Sequence, residues 1–152
     1  MSSGIEVDNL CFEAYTDVKA TKAKFVIFKI SDDKKLVVVE STSNDKAKDK
    51  DGNEVEPKED PYEEFISRLP KDEGRFAVYD FDYETEDGGK RNKLMFYAWA
   101  PDTAAIKSKM LYASTKLNIR QKLVGIFGDV QATDEEELSH EGVLKNLVSQ
   151  FR

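Results

Sequence analysis

Apolar residues recur along the chain in short blocks whose spacing changes from block to block. Behind Asp8, Leu10, Ala14 and Val18 stand four residues apart on one side, which predicts a helix capped by Asp8 and running to about Ala20. Two β-branched runs follow, at 25–30 and 36–40, split by the turn-like Ser31-Asp32-Asp33, and both predict strands. Residues 44–60 are almost wholly charged or polar around Asp51-Gly52, as expected of a solvated loop or an exposed hairpin. Pro61 opens a short helix through Tyr62, Phe65, Ile66 and Leu69, which Pro70 stops.

Two longer strands at 76–83 and 93–100 flank Gly88-Gly89 and predict a hairpin. The pattern is then helical from Thr103 to about Phe127, with a bend expected near 117–119. A short strand at 129–132 and a terminal helix with Val143, Leu147 and Phe151 at four-residue spacing complete the chain. Hairpin strands with helices before, between and after them predict a mixed sheet covered by helices on both faces, an α/β or α+β fold. No repeat or linker divides residues 1–152, so one domain is expected, with 44–60 as a charged surface insertion.

Composition narrows the class. Hydrophobic residues make up 39% of the chain, enough for a globular core. No apolar run is long enough for a transmembrane segment, and Met1-Ser2-Ser3-Gly4 lacks the pattern of a secretory signal. The lone Cys11 has no partner for an internal disulfide, which suits a reducing compartment.

A net charge of −7 argues against nucleic acid as a partner. The charge is unevenly spread, however. Residues 88–128 hold eight of the 23 bases (Lys90, Arg91, Lys93, Lys107, Lys109, Lys116, Arg120 and Lys122) but only one of the 30 acids, Asp102, leaving −14 on the rest. Separation of this kind favours a steered contact with an acidic partner.

Catalytic chemistry is sparse. His140 is the only histidine and lies in the acidic run 135–141, where an exposed helix residue is expected rather than a base. Cys11 beside Phe12 reads as a small buried hydrophobe. There is no Cys/His cluster for zinc and no Gly-rich phosphate loop, so no cofactor is implied and an enzyme is not expected. Asp49-Lys50-Asp51-Gly52 imitates an EF-hand, but Ala47 and Lys58 fall where the first and last ligands belong. Asp80 and Asp82 alternate along one strand, as a solvated face would.

Residues 104–118 carry two apolar sides on a helical wheel. Ile106, Met110, Ala113 and Leu117 form one stripe; Ala104 and Leu111 lie opposite, with Ser108, Tyr112 and Thr115 beside them. A helix on a sheet needs only one such stripe. The second is either covered by another element or meets a partner, and the flanking Lys107 and Ser114 suit the partner.

These same residues resemble a known family. Trp99-Ala100-Pro101-Asp102-Thr103-Ala104, followed by Lys107-Ser108-Lys109-Met110-Leu111-Tyr112-Ala113-Ser114, closely resembles the ADF/cofilin signature around the long actin-binding helix. Residues 76–83 are similar to the family's central strand, Gly89-Lys90-Arg91-Asn92-Lys93 to its basic hairpin turn, and 129–134 to the strand after the helix. The resemblance implies an ADF-homology fold that binds actin monomers and filaments, prefers the ADP form, severs filaments and promotes their depolymerisation.

Carried over by motif, the resemblance implies monomer contacts at Ser3, Gly4, Lys107, Lys109 and Met110, with Ile106 and Ser114 on the same face. It also implies filament contacts at Lys90, Arg91 and Lys93, with Lys145 on the terminal helix, regulatory phosphorylation at Ser3, and phosphoinositides as a second ligand of the basic residues. A monomer in the cytoplasmic actin cytoskeleton is implied, with the nucleus as a further compartment. The alternative within the same fold is a non-severing adaptor of the coactosin or glia-maturation-factor type. Three features depart from the family pattern: Leu117-Asn118 where an acidic residue commonly follows Lys116, a terminal helix poor in bases, and the 44–60 insertion.

Overall fold

The structure is a computed structural model that describes residues 4–49 and 51–149. In chain order its elements are β1 (Glu6–Val7), α1 (Asn9–Lys19), β2 (Phe25–Ile30), β3 (Leu36–Thr42), α2 (Pro61–Ser67), β4 (Arg75–Glu84), β5 (Lys90–Trp99), α3 (Ile106–Lys122), β6 (Gly128–Ala132), α4 (Glu135–Leu138) and α5 (His140–Ser149). The strands form one mixed sheet in the order β1-β3-β2-β4-β5-β6, antiparallel at its centre and parallel at both outer pairs. The expected fold class is therefore observed.

Strand β4 shows why helices lie on both sides. Its side chains alternate, Phe76 and Val78 into a cluster with α1 and α3, and Ala77, Tyr79, Phe81 and Tyr83 into a second cluster with α2, α4 and α5. A strand buried on both faces reads as a nearly unbroken apolar run. On the first face α3 presses Tyr112, Thr115 and Ile119 inward. Tyr112 stands 5.1 Å from the Phe76 ring and accepts the Ile30 N–H at 2.9 Å. Gly74 makes room for it, since a Cβ there would lie 2.8 Å from the Tyr112 ring.

Several expectations need correction. The buried side of α1 is Cys11, Tyr15 and Val18, while Leu10 is 59% exposed. Tyr15 is drawn in because its hydroxyl donates to Val124 O at 2.6 Å. The short strand β1 precedes the first expected element, and β3 continues to Thr42. Helix α3 starts at Ile106 rather than Thr103 and ends at Lys122 rather than near Phe127. The hairpin strands reach Glu84 and Lys90, so their polar ends pair as a projecting two-stranded arm. Asp80 is buried rather than solvated, its Oδ1 accepting from Asn92 Nδ2 at 2.7 Å. Phe151 lies outside the described residues.

The insertion forms a short exposed hairpin-like turn that is anchored at both ends. A single antiparallel bridge joins Lys48 and Glu54, and Ala47 is buried beneath it. Arg68 fastens its start. Its guanidinium donates to Glu64 Oε2 at 2.7 Å, to Thr42 O at 2.7 Å and to Asp45 O at 3.0 Å, with its central carbon 5.1 Å from the Phe25 ring centre. Glu64 fastens the end by accepting the Lys58 N–H at 2.9 Å. Burial opposes charge on Glu64, but the Lys58 N–H and Arg68 outweigh it and hold the carboxyl below its ordinary value.

A depressed carboxylate contributes stability that is present above its unfolded pKa and lost as pH falls through the folded one. Glu64→Gln is accordingly expected to cost about 1–2 kcal/mol at neutral pH, with the gap to the parent closing below about pH 4. Urea unfolding across that range checks it; a gap that stays constant with pH would contradict the assignment.

Candidate functional site

The outward side of α3 carries the second apolar stripe, and it is bare. Ile106 is 73% exposed, Met110 66% and Leu117 64%, with Ala113 between them also exposed. No other described element covers them, which settles which of the two stripes is buried. Lys107 and Ser114 border the stripe on one side and are exposed; Lys109 borders the other and is half-buried. Among the described residues neither lysine makes an ion pair. Helix α3 also begins without a side-chain cap at Ala105, so its first N–H groups gain nothing from a neighbouring oxygen of that residue.

Gly4 joins this surface through the chain. It is exposed at φ +80, a conformation that favours glycine. The next residue, Ile5, is buried, and its carbonyl accepts from Asn118 Nδ2 of α3 at 2.6 Å. Ser3 lies outside the described residues.

A second group of expected residues gathers at the arm formed by the ends of β4 and β5. Lys90 and Arg91 are exposed there. Lys93 is half-buried with its Nζ 4.8 Å above the Phe127 ring. The turn between the strands is drawn tight by Thr85, whose N–H donates to Gly89 O at 2.8 Å and whose hydroxyl bonds Asp87. Lys145 is exposed on α5, and the cleft between arm and helix is lined by Tyr83, Lys90, Arg91, His140 and Leu144. Helix α5, which carries Lys145, packs on the sheet face opposite α3.

The arm is less basic than its strand suggests. Glu84 lies directly across from Lys90 in the register, and Asp82, Glu86 and Asp87 occupy the same ribbon. Folding thus sets four acids beside Lys90, Arg91 and Lys93. Part of the charge separation seen along the chain is cancelled in space. On α3, Arg120 is likewise taken up by Asp129 at 2.6 Å.

Burial pushes the Cys11 thiol up to about 12, with the charge on Asp8 adding to it. That keeps it protonated and unreactive. His140 is exposed, as expected, yet it is more than a surface residue. Its ring stacks on Phe81 at 4.5 Å, meets Tyr62 edge-on at 5.5 Å, and its Nε2 lies 3.1 Å from Asp82 O. It clips α5 to the base of the arm. Nothing in the local sequence signalled this, because Phe81 and Asp82 lie 58 or more residues away. Asn118 escaped notice for the same reason.

Comparison with known proteins agrees across nearly the whole chain. Residues 4–148 match the family of cofilin/tropomyosin-type actin-binding proteins. A cofilin of Ogataea parapolymorpha is 42% identical over 147 residues, which cover 95% of this chain and 93% of that protein. Actin-depolymerizing factor 8 of Arabidopsis thaliana is 38% identical over 139 residues, 91% of this chain and 90% of that one. The crystal structure of Streptomyces griseoflavus cofilin superposes with a TM-score of 0.79 at 40% identity, covering 94% of this chain and 96% of the other. Among the described residues no helix is long and apolar enough to cross a membrane.

If His140 is the clip between α5 and the arm, His140→Ala should cost about 0.5–1.5 kcal/mol and His140→Phe should recover most of it by keeping the stack. Thermal melting of the two variants is the check, and an Ala variant that melts with the parent would exclude the role.

Proposed function

The chain belongs to the cofilin/ADF family, and from that membership we propose that it binds actin monomers and filaments and promotes filament severing and depolymerisation, without bond chemistry. The observation that carries the proposal is the bare stripe Ile106–Met110–Leu117 with Lys107 and Lys109 beside it, neither in an ion pair among the described residues. An exposed apolar line flanked by cations is suited to a hydrophobic groove with an acidic rim. In this proposal the monomer-type surface is Gly4, Ile106, Lys107, Lys109, Met110 and Ser114, with Ser3 beside Gly4 in the chain. The filament-specific contacts are Lys90, Arg91 and Lys93 of the arm together with Lys145.

The position of Lys145 on α5, across the sheet from α3, supports separate roles for the two sets. In this proposal one actin subunit sits against α3 and a second subunit of the filament meets the arm and α5. Preference for ADP-actin, inhibition by phosphoinositides at the basic residues, and a monomeric protein of the cytoplasmic actin cytoskeleton and the nucleus belong to the same proposal. A single ADF-homology domain spanning residues 1–152 is part of it too.

Two variants separate the surfaces. Lys107→Ala with Lys109→Ala should weaken binding to actin monomers by about 1–3 kcal/mol while leaving the circular dichroism unchanged. Lys90→Ala with Arg91→Ala should reduce cosedimentation and severing but spare the monomer. Because acids surround the arm, that second loss should be partial rather than total, and smaller at high salt. Pelleting combined with imaging of single labelled filaments reads all of this. Monomer affinity unchanged in the first variant would refute the α3 surface, and filaments bound without shortening would favour a non-severing adaptor.

Phosphorylation of Ser3 adds about −1.5 to −2 charges beside a surface meant for an acidic partner. Ser3→Glu should therefore bind actin several-fold more weakly than Ser3→Ala. Equal affinities would remove Ser3 from the account.

A further inference from the structure

Lys90, Arg91 and Lys93 do not serve one side of the arm. A crevice runs along each side of it. Lys90 and Arg91 line the one next to α5, together with His140 and Leu144. Lys93 lines the other, between the end of α1 and residues 125–127, with Asp80 and Leu94.

The register makes this position of Lys93 unexpected. Lys93 lies directly across from Phe81, and both Phe81 and Met95 belong to the cluster under α5, so the Lys93 side chain leaves the strand toward the α5 face. Its ammonium ends elsewhere, 4.8 Å over the ring of Phe127. The backbone of Phe127 is fixed beside β5, its N–H donating to Leu94 O at 2.8 Å. The long side chain is thus laid along the edge of β5, just ahead of Met95, where β6 begins to pair.

Ring and charge hold it there. A cation over an aromatic face is attracted by the ring quadrupole, and Phe127 keeps 37% of its surface exposed. Asp80, which is buried, lines the same crevice and adds a negative charge, one of its oxygens being taken by Asn92 Nδ2 at 2.7 Å. Lys19 opposes it from the crevice wall, but its own Nζ is drawn to Val124 O at 3.1 Å and lies 5.5 Å from the Tyr15 ring. Lys93 makes no ion pair among the described residues.

We propose that Phe127 is a positioning residue for filament binding, which holds Lys93 in reserve at the sheet edge of the free protein. Lys93 leaves the ring to join Lys90, Arg91 and Lys145 on the filament. The proposal rests on the filament-binding reading of the arm and deepens it, adding a residue that restrains a contact without making one. Filament affinity is then lowered by the fraction of molecules in which Lys93 is parked.

The first arm of the test needs no actin. In the NMR spectrum of the parent, the ring current of Phe127 should shift the Lys93 ε-methylene protons upfield. Phe127→Leu should abolish the shift and Phe127→Tyr should keep it. In cosedimentation, Phe127→Leu should bind filaments about 2- to 5-fold more tightly than the parent. Phe127→Tyr should match the parent, and monomer affinity should be the same in all three. Against a Lys93→Ala background, Phe127→Leu should change nothing. Unshifted Lys93 protons in the parent would overturn the parked state. If Lys93→Ala weakens filament binding but Phe127→Leu binds no better than the parent, the restraint fails and the filament reading stands. An equal gain from Phe127→Leu with and without Lys93 would assign the effect to loop packing and overturn the proposal. If Lys93→Ala and Lys90→Ala/Arg91→Ala all bind filaments like the parent, the filament reading fails and takes the restraint with it.

Discussion

Tyr112 fixes α3 on the sheet, and the rest of the functional surface depends on that seat. Its hydroxyl takes the Ile30 N–H at 2.9 Å, its ring packs on Phe76, and Gly74 leaves space for the edge of the ring. Thr115 and Ile119 continue the same side inward, Thr115 satisfying its hydroxyl on Leu111 O at 2.7 Å. With that side committed, the opposite side of a rigid helix is committed too. Ile106, Met110 and Leu117 have nowhere to turn but outward. Exposed apolar area of this length is costly in water unless something covers it part of the time.

The second face of the sheet shows the same economy with a different result. The aromatic cluster of Phe25, Tyr62, Phe65, Tyr79, Phe81 and Tyr97 fills the space under α2 and α5. Tyr62 donates to Leu138 O at 2.5 Å and bonds the Tyr97 hydroxyl at 3.1 Å, so the buried phenols are satisfied. His140 closes the outer end of this cluster. Helix α5 and the cleft it forms with the arm are thereby held in place across the sheet from α3.

Much of the fold was legible because β4 and β5 advertise burial on both faces and the prolines at 61 and 70 bracket α2. What failed, failed for physical reasons. Leu10 is more apolar than Tyr15, yet Tyr15 is buried because its hydroxyl finds Val124 O across 109 residues. A wheel placed two stripes on α3 but had no means of choosing between them; the Ile30 N–H and Gly74 made the choice. The anchoring of the insertion was not legible because Arg68, which bonds Thr42 and Asp45, stands 26 and 23 residues from them. Charge told a half-truth. A run of bases along the chain is real, but antiparallel pairing returned acids to the arm and Asp129 took up Arg120. The α3 residues of the candidate site were read from motif and are found together; the contacts of Asn118 and His140 needed the third dimension.

The central claim is that the outer stripe of α3 is where the partner sits, and two methionines permit a direct measurement. Met110 is exposed in the middle of that stripe, whereas Met95 is fully buried in β5. Oxidation of each to the sulfoxide by dilute peroxide, followed by mass spectrometry with and without saturating actin monomer, compares them in one experiment. The account predicts that free Met110 is oxidised readily and becomes strongly protected by actin, while Met95 stays inert throughout. Equal oxidation of Met110 with and without bound actin would contradict it.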